Sequence, residues 1–203
     1  MKKWTTYAAL AVLGAGATSF ALRGQTAPAQ AATETISFEK KVAPFSLPNT
    51  DGKSVTIGDW DKSKATVLMF VATKCPVSND YNARMENLAK TYTPKGVKFY
   101  GINSNKAEDA AEVAAHSKEN GFSFAVLKDP QNKIADHFNA QVTPEVYVVG
   151  PNGDLLYRGR IDNSQKGEIK SKSLAVALDS IVAGQPVAEK ETRAFGCSIK
   201  RVN

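Results

Sequence analysis

Cysteine is scarce in this chain: 203 residues hold only Cys75 and Cys197, 122 positions apart. Ser78 stands where the second cysteine of a Cys-x-x-Cys motif would be, which excludes a dithiol–disulfide cycle closed within that motif. Histidine is equally rare. His116 and His137 fall on predicted helices, where surface or partly packed roles are expected. One of them with Cys75 would be too few ligands for a firm metal site. The apolar run from Tyr7 to Leu22 spans 16 residues, short of the roughly 20 that cross a bilayer. There is no repeat and no low-complexity tract beyond it. The net charge of +6 is spread over scattered lysines, which excludes a nucleic-acid footprint.

What is present begins with an address. Lys2 and Lys3 precede the apolar run, and Ala29-Gln30-Ala31 supplies a small-x-small cleavage site, so residues 1–31 read as a signal peptide with Ala32 as the new N-terminus. An uncleaved membrane anchor is the competing reading. With no cysteine near the cleavage site, a lipid anchor has no support. The first 31 residues carry Lys2, Lys3 and Arg23 and no acid, so the 172 residues that follow hold a net +3. That length suffices for one domain with a real core. Export also permits two thiols to persist as a disulfide. A chain of this size does not need a staple, so spacing alone leaves the pair either structural or catalytic.

Thr33 to Lys41 reads as an N-terminal arm. In "APFSLPNTDGKSVTIGDW" (43–60), Asn49 to Gly52 form a turn between two short extended pieces. "ATVLMFVA" (65–72) is a continuous apolar run, as expected of a strand buried on both faces. A helix follows from Pro76, with Val77, Tyr81, Met85, Leu88 and Tyr92 on one face. "VKFYGIN" (97–103) is the next strand, and Ala107, Ala110, Ala111 and Ala114 form a weak helical face ending at Asn120-Gly121. "FSFAVL" (122–127) reads as a third central strand, and Asp129-Pro130 as the start of a short helix through Phe138. "EVYVVG" and "DLLYRG" flank the hairpin turn Pro151-Asn152-Gly153. Leu174, Ala177, Leu178, Ile181 and Val182 mark a last amphipathic helix closed by Gly184. Gln185 to Asn203 is a polar tail without periodicity. Strands alternating with helices, then a terminal hairpin and helix, predict a three-layer α/β domain on a mixed sheet.

Cys75 sits where the buried strand turns into a helix, with Pro76 at the first helical position. Its sulfur is expected near unpaired helix N–H groups and the positive end of the helix dipole, which lowers a thiol pKa from about 8.5 into roughly 3.5–7.5. Lys74 adds a nearby positive charge, and Ser78 can offer its hydroxyl to the thiolate or serve the first-turn N–H groups. The bland alternative is a small buried cysteine at a strand end.

"FVATKCPVS" (70–78) resembles the "WATWCPPC"-type segment of exported thioredoxin-like proteins of the TlpA and AhpC/TSA redoxin group. "APFSLPNTDGKSVTIGDW" and "VTPEVYVVGPNGDLLYRG" resemble the segments before and after it in those proteins, so the likeness runs from about Ala43 to Val182. Cys-Pro-Val-Ser, with "TRAFGCSIKR" near the end, is similar to the peroxiredoxin-like subgroup that carries a C-terminal Gly-Cys. The resemblance implies a thioredoxin-like sandwich over 32–184 followed by the tail 185–203. It also implies a cis peptide at Thr143-Pro144, lying against Cys75 and presenting the Thr143 backbone to a bound thiol or peptide.

The departures matter too. Peroxiredoxins carry Pro-x-x-x-Thr-x-x-Cys, whereas the corresponding positions here are Leu68 and Ala72. No arginine adjoins Pro144; Arg158 and Arg160 on the following strand are the nearby candidates, with a solvated edge as their alternative role. Copper-carrying relatives use two closely spaced cysteines and a histidine, and this chain has no such pair. The expectation is therefore an exported, periplasmic or secreted, antioxidant-type thiol oxidoreductase without cofactor or metal. Cys75 attacks a disulfide or a hydroperoxide, Thr143, Pro144, Lys74 and Ser78 line the site, and Cys197 resolves the intermediate. Gly196 lends the tail freedom to bend, and an exported thiol reductant resets the pair. A metal- or haem-maturation accessory domain, or a non-catalytic binding domain with a permanent Cys75–Cys197 staple, stands as the alternative.

Overall fold

A computed structural model describes residues 35–202; the expected signal segment and its cleavage site lie outside the described residues. Fourteen strands and helices follow in chain order. They are β1 (Phe45–Pro48), β2 (Ser54–Ile57), β3 (Ala65–Phe70), α1 (Pro76–Asp80), α2 (Asn82–Tyr92), β4 (Val97–Asn103) and α3 (Ala110–Glu119). Then come β5 (Ala125–Lys128), α4 (Lys133–Phe138), β6 (Val142–Thr143), β7 (Glu145–Val149), β8 (Leu155–Gly159), α5 (Ser173–Val182) and β9 (Cys197–Ser198).

The central sheet has the order β5-β4-β3-β7-β8, with β4 parallel to both β3 and β5, and β7 antiparallel to both β3 and β8. Every residue of β3 is buried, because side chains alternate between two covered faces. Val67 and Met69 pack with Tyr81, Met85, Leu174 and Leu178 from α2, its N-terminal flank and α5. Leu68 and Phe70 pack on the other face with Phe138 of α4 and with Leu47 and Ile57 of the β1–β2 hairpin. The result is a mixed sheet between two helical layers, the thioredoxin-like architecture. Among the described residues no helix is long and apolar enough to cross a membrane.

Several elements differ from their sequence pattern. The helix after Pro76 breaks at Tyr81 (φ −97°, ψ −7°), yet Tyr81, Met85 and Tyr92 still face the core. In α3 the alanine stripe is not the buried face: Val113 alone is buried, and Asp109 caps the helix by accepting from Glu112 N–H. β5 starts only at Ala125 and lies at the sheet edge, so Phe122 and Phe124 stack on each other before the strand begins. Pro130 stays outside α4, whose N-cap is Asn132 in left-handed conformation (φ 58°). Asp129 serves that helix from a distance, its Oδ2 accepting from Ala135 N–H at 2.9 Å.

The largest difference is the tail. It is a packed part of the fold rather than a free arm. Val187 and Ile199 are buried in opposite core clusters. Arg158 N–H donates to Lys190 O (2.9 Å), Thr192 N–H donates to Arg158 O (3.0 Å), and Ile199 N–H donates to Gln141 O (3.0 Å). Two glycines mark where the tail seats. A Cβ on Gly159 would collide with the Thr192 carbonyl, and a Cβ on Gly196 with the Thr143 carbonyl. Gly196 therefore permits close approach of two backbones and does not act as a hinge.

Candidate active site

The C-terminal end of β3, the start of α1 and the β6–β9 pair converge on one spot. Cys75 is the N-cap of α1, and its Sγ accepts the Ser78 N–H at 3.3 Å. On the other side its thiol donates to the Thr143 carbonyl at 3.4 Å. Thr143 is followed by a cis peptide to Pro144, and in β6–β9 it pairs with Cys197 in antiparallel register. Thr143 thus contacts the Cys75 sulfur through its carbonyl and pairs with Cys197 along the strand, and both thiols are free.

Burial pushes the Cys75 thiol up, since only 4% of the residue is exposed. The neighbouring Cys197 thiol, the Ser78 N–H, the Thr143 side chain and the Cys197 N–H outweigh that cost, leaving Cys75 below the ordinary thiol value. The Thr143 hydroxyl is buried and has no hydrogen-bond partner among the described residues. Cys197 moves the opposite way: the neighbouring Cys75 sulfur, burial and the negative charge on Cys75 raise it, against the Val77 N–H and Lys200. One sulfur is set up to ionise and the other to keep its proton.

Two expected contributors act differently. Lys74 turns away from the sulfur: its Nζ pairs with Glu112 Oε2 at 2.8 Å and donates to Ala107 O at 2.9 Å. Its charge is spent on a carboxylate rather than on the thiolate. The Ser78 hydroxyl accepts from Ala72 N–H at 3.2 Å, so it braces the loop while its backbone N–H serves Cys75. The tail places Phe195 against the Tyr81 ring, edge-on at 6.2 Å. Arg158 is held by Glu191 (2.7 Å) and lies over the Phe38 ring, and Arg160 Nε donates to Ser173 Oγ (3.1 Å). His116 bonds Asn79 Oδ1 at 2.9 Å, and the buried His137 Nδ1 has no partner among the described residues.

Sequence periodicity passes over a polar cluster beside the site: Asn103, Asn105, Glu108 and Lys128, all buried. Its one signal is the polar run "NSNKAED" (103–109) directly after the apolar strand β4. β4 runs parallel to β3, so that run emerges at the same sheet end as Cys75.

Residues 38–158 match the AhpC/TSA family. A Mycobacterium tuberculosis protein named as a candidate peroxiredoxin is 23% identical over 107 residues, covering 53% of this chain and 66% of that protein. The chain therefore spans just under two thirds of that relative's length. A solved, uncharacterised conserved protein from Geobacillus kaustophilus is 35% identical with a TM-score of 0.74, covering 79% of this chain and 90% of its own. A solved hypothetical protein from Sinorhizobium meliloti 1021 is 26% identical with a TM-score of 0.77, covering 83% and 97%.

Proposed function

Because this chain belongs to the AhpC/TSA family of thioredoxin-like, thiol-based oxidoreductases, we propose that Cys75 is its nucleophile and Cys197 its resolving cysteine. The observation that carries this reading is geometric: Cys75 caps α1 and donates to the Thr143 carbonyl, and Thr143 is the residue paired in register with Cys197. Cys75 thiolate attacks one sulfur of a protein or small-molecule disulfide, forming a mixed disulfide and releasing one thiolate. Cys197 then attacks the Cys75 sulfur, releases the second substrate thiol and leaves a Cys75–Cys197 bond. With a hydroperoxide, Cys75 takes the terminal oxygen to become a sulfenic acid and an alcohol leaves. Cys197 condenses with that acid and releases water. Two electrons from an exported thiol reductant restore both thiols. The Lys2-Lys3, apolar and Ala-Gln-Ala sequence supports a periplasmic or secreted location.

Disulfide exchange is the preferred direction of this reading, because the Pro-x-x-x-Thr-x-x-Cys furnishing of peroxide chemistry is missing, Arg158 is paired with Glu191 and Arg160 Nε is turned to Ser173. The packed tail favours one second reading, a permanent Cys75–Cys197 staple in a non-catalytic domain. Its loop would nominally stabilise the fold by about 5 kcal/mol. A thiol titration of purified protein across a redox-buffer series separates the two. A cycling pair titrates above about −300 mV, and a staple below it.

A further inference from the structure

The two cysteine segments are joined a second time, away from the sulfurs. Glu108 is 4% exposed, and its carboxylate accepts four hydrogen bonds. Oε2 takes Thr73 N–H (2.8 Å) and Asn103 Nδ2 (2.5 Å), and Oε1 takes Lys74 N–H (3.1 Å) and Asn105 Nδ2 (3.2 Å). Thr73 and Lys74 are the two residues that lead into Cys75. Asn105, 6% exposed, spends its other half on the tail: its Oδ1 accepts Lys200 N–H at 2.7 Å, three residues past Cys197. Turning that amide over would set donor against donor and oxygen against carboxylate, so its partners fix its orientation.

Lys128 underlies the cluster. Its Nζ donates to Asn103 Oδ1 at 2.5 Å and to the carbonyls of Asn105 and Glu108. A buried cation beside a buried carboxylate keeps the set charge-balanced, and removing any member leaves a buried polar group unpaired. Lys106 N–H also donates to Lys200 O at 2.9 Å, so the 105–106 segment grips Lys200 at both its N–H and its carbonyl. Nothing in the thiol chemistry uses these groups, yet they tie the backbone before one cysteine to the backbone after the other.

We propose that Asn105 and Glu108 are positioning residues that hold Cys197 in register with Cys75 and so raise the effective concentration of the resolving thiol. The proposal rests on the reading of the two cysteines as a redox pair. Resolution is intramolecular, and its advantage over a solution thiol depends on how tightly the two segments are held together. The clasp supplies that restraint from the tertiary structure, because the chain between the cysteines is too long to supply it.

The test equilibrates full-length protein with reduced and oxidised glutathione, where two glutathione thiols give one glutathione disulfide as the Cys75–Cys197 bond opens. The ratio reports the effective concentration of the pair. Asn105→Ala should lower it about tenfold or more, since it removes two hydrogen bonds and leaves their buried partners unmet. Glu108→Gln, which keeps shape and one acceptor, should lower it in the same direction. Leu178→Ala, a core truncation remote from the cluster, should lower thermal stability and leave the ratio within about twofold. An unchanged ratio in both clasp variants, or an equal fall in Leu178→Ala, overturns the proposal while leaving the redox pair standing. A parent protein with no glutathione-reducible bond overturns both.

Discussion

Cys75 and Cys197 end up side by side by opposite routes. The Cys75 segment is held by regular structure: β3 bonds to strands on both sides, and α1 begins at the next residue. The Cys197 segment is held by scattered contacts to β8, β6, the 105–106 loop and α4, with a two-residue strand as its only regular element. The place of Cys75 follows from local chain chemistry. The place of Cys197 follows from how the rest of the molecule receives the tail, through Gly159, Gly196 and Asn105.

The sharpest test of that division is functional. Cys75→Ser should lower turnover of a disulfide substrate by about a thousandfold or more, since the nucleophile itself is lost. Cys197→Ser should still react once and then accumulate mixed disulfide or over-oxidised Cys75, visible by intact mass. Full multiple turnover by Cys197→Ser would sink the assignment of the resolving residue.

Next in size is the energetic weight of the tail. Ile199 is 5% exposed and packs in the second core cluster. Ile199→Ala should cost about 2–5 kcal/mol in denaturant unfolding, as a central core residue does. A cost under about 0.5 kcal/mol would mean that the tail is peripheral after all.

Gly196→Ala tests the close approach at Thr143. The added methyl must push the β6 and β9 backbones apart, with an expected cost of about 1–3 kcal/mol and slower formation of the disulfide. If the variant matches the parent in both respects, the two backbones are not held together there.

The smallest effect is a difference in titration. Cys75 lies below the ordinary thiol value and Cys197 above it. Only the thiolate reacts, so alkylation of Cys75 should rise at lower pH than alkylation of Cys197. Because burial slows both, the measurement is the pH at which each rate climbs, read by peptide mass. A lower midpoint for Cys197 would reverse the roles.

Much of the scaffold was legible in the chain. "ATVLMFVA" becomes the six-residue strand β3, buried throughout, and the apolar spacing after Pro76 still marks the core side of a helix that breaks at Tyr81. Other patterns misled for physical reasons. Alanine is small enough to sit on either face, so the stripe at 107–114 carried little directional force, and the single Val113 decided which side of α3 turned inward. Lys74 adjoins Cys75 in sequence, but a long flexible side chain goes to the carboxylate within reach, here Glu112.

The sequence by itself determined the alternating strands and helices, the seat of Cys75 at a strand-to-helix turn and the absence of a partner at Ser78, because each is a matter of near neighbours and regular burial. Only the tertiary structure decided where Cys197 lies. Its segment buries no periodic face, and its backbone hydrogen bonds end on Arg158, Gln141, Asn105 and Lys106, all distant in the chain. Contacts of that kind leave no period to read, since what holds the tail is the complementary shape and polarity of residues that meet only once the domain has folded.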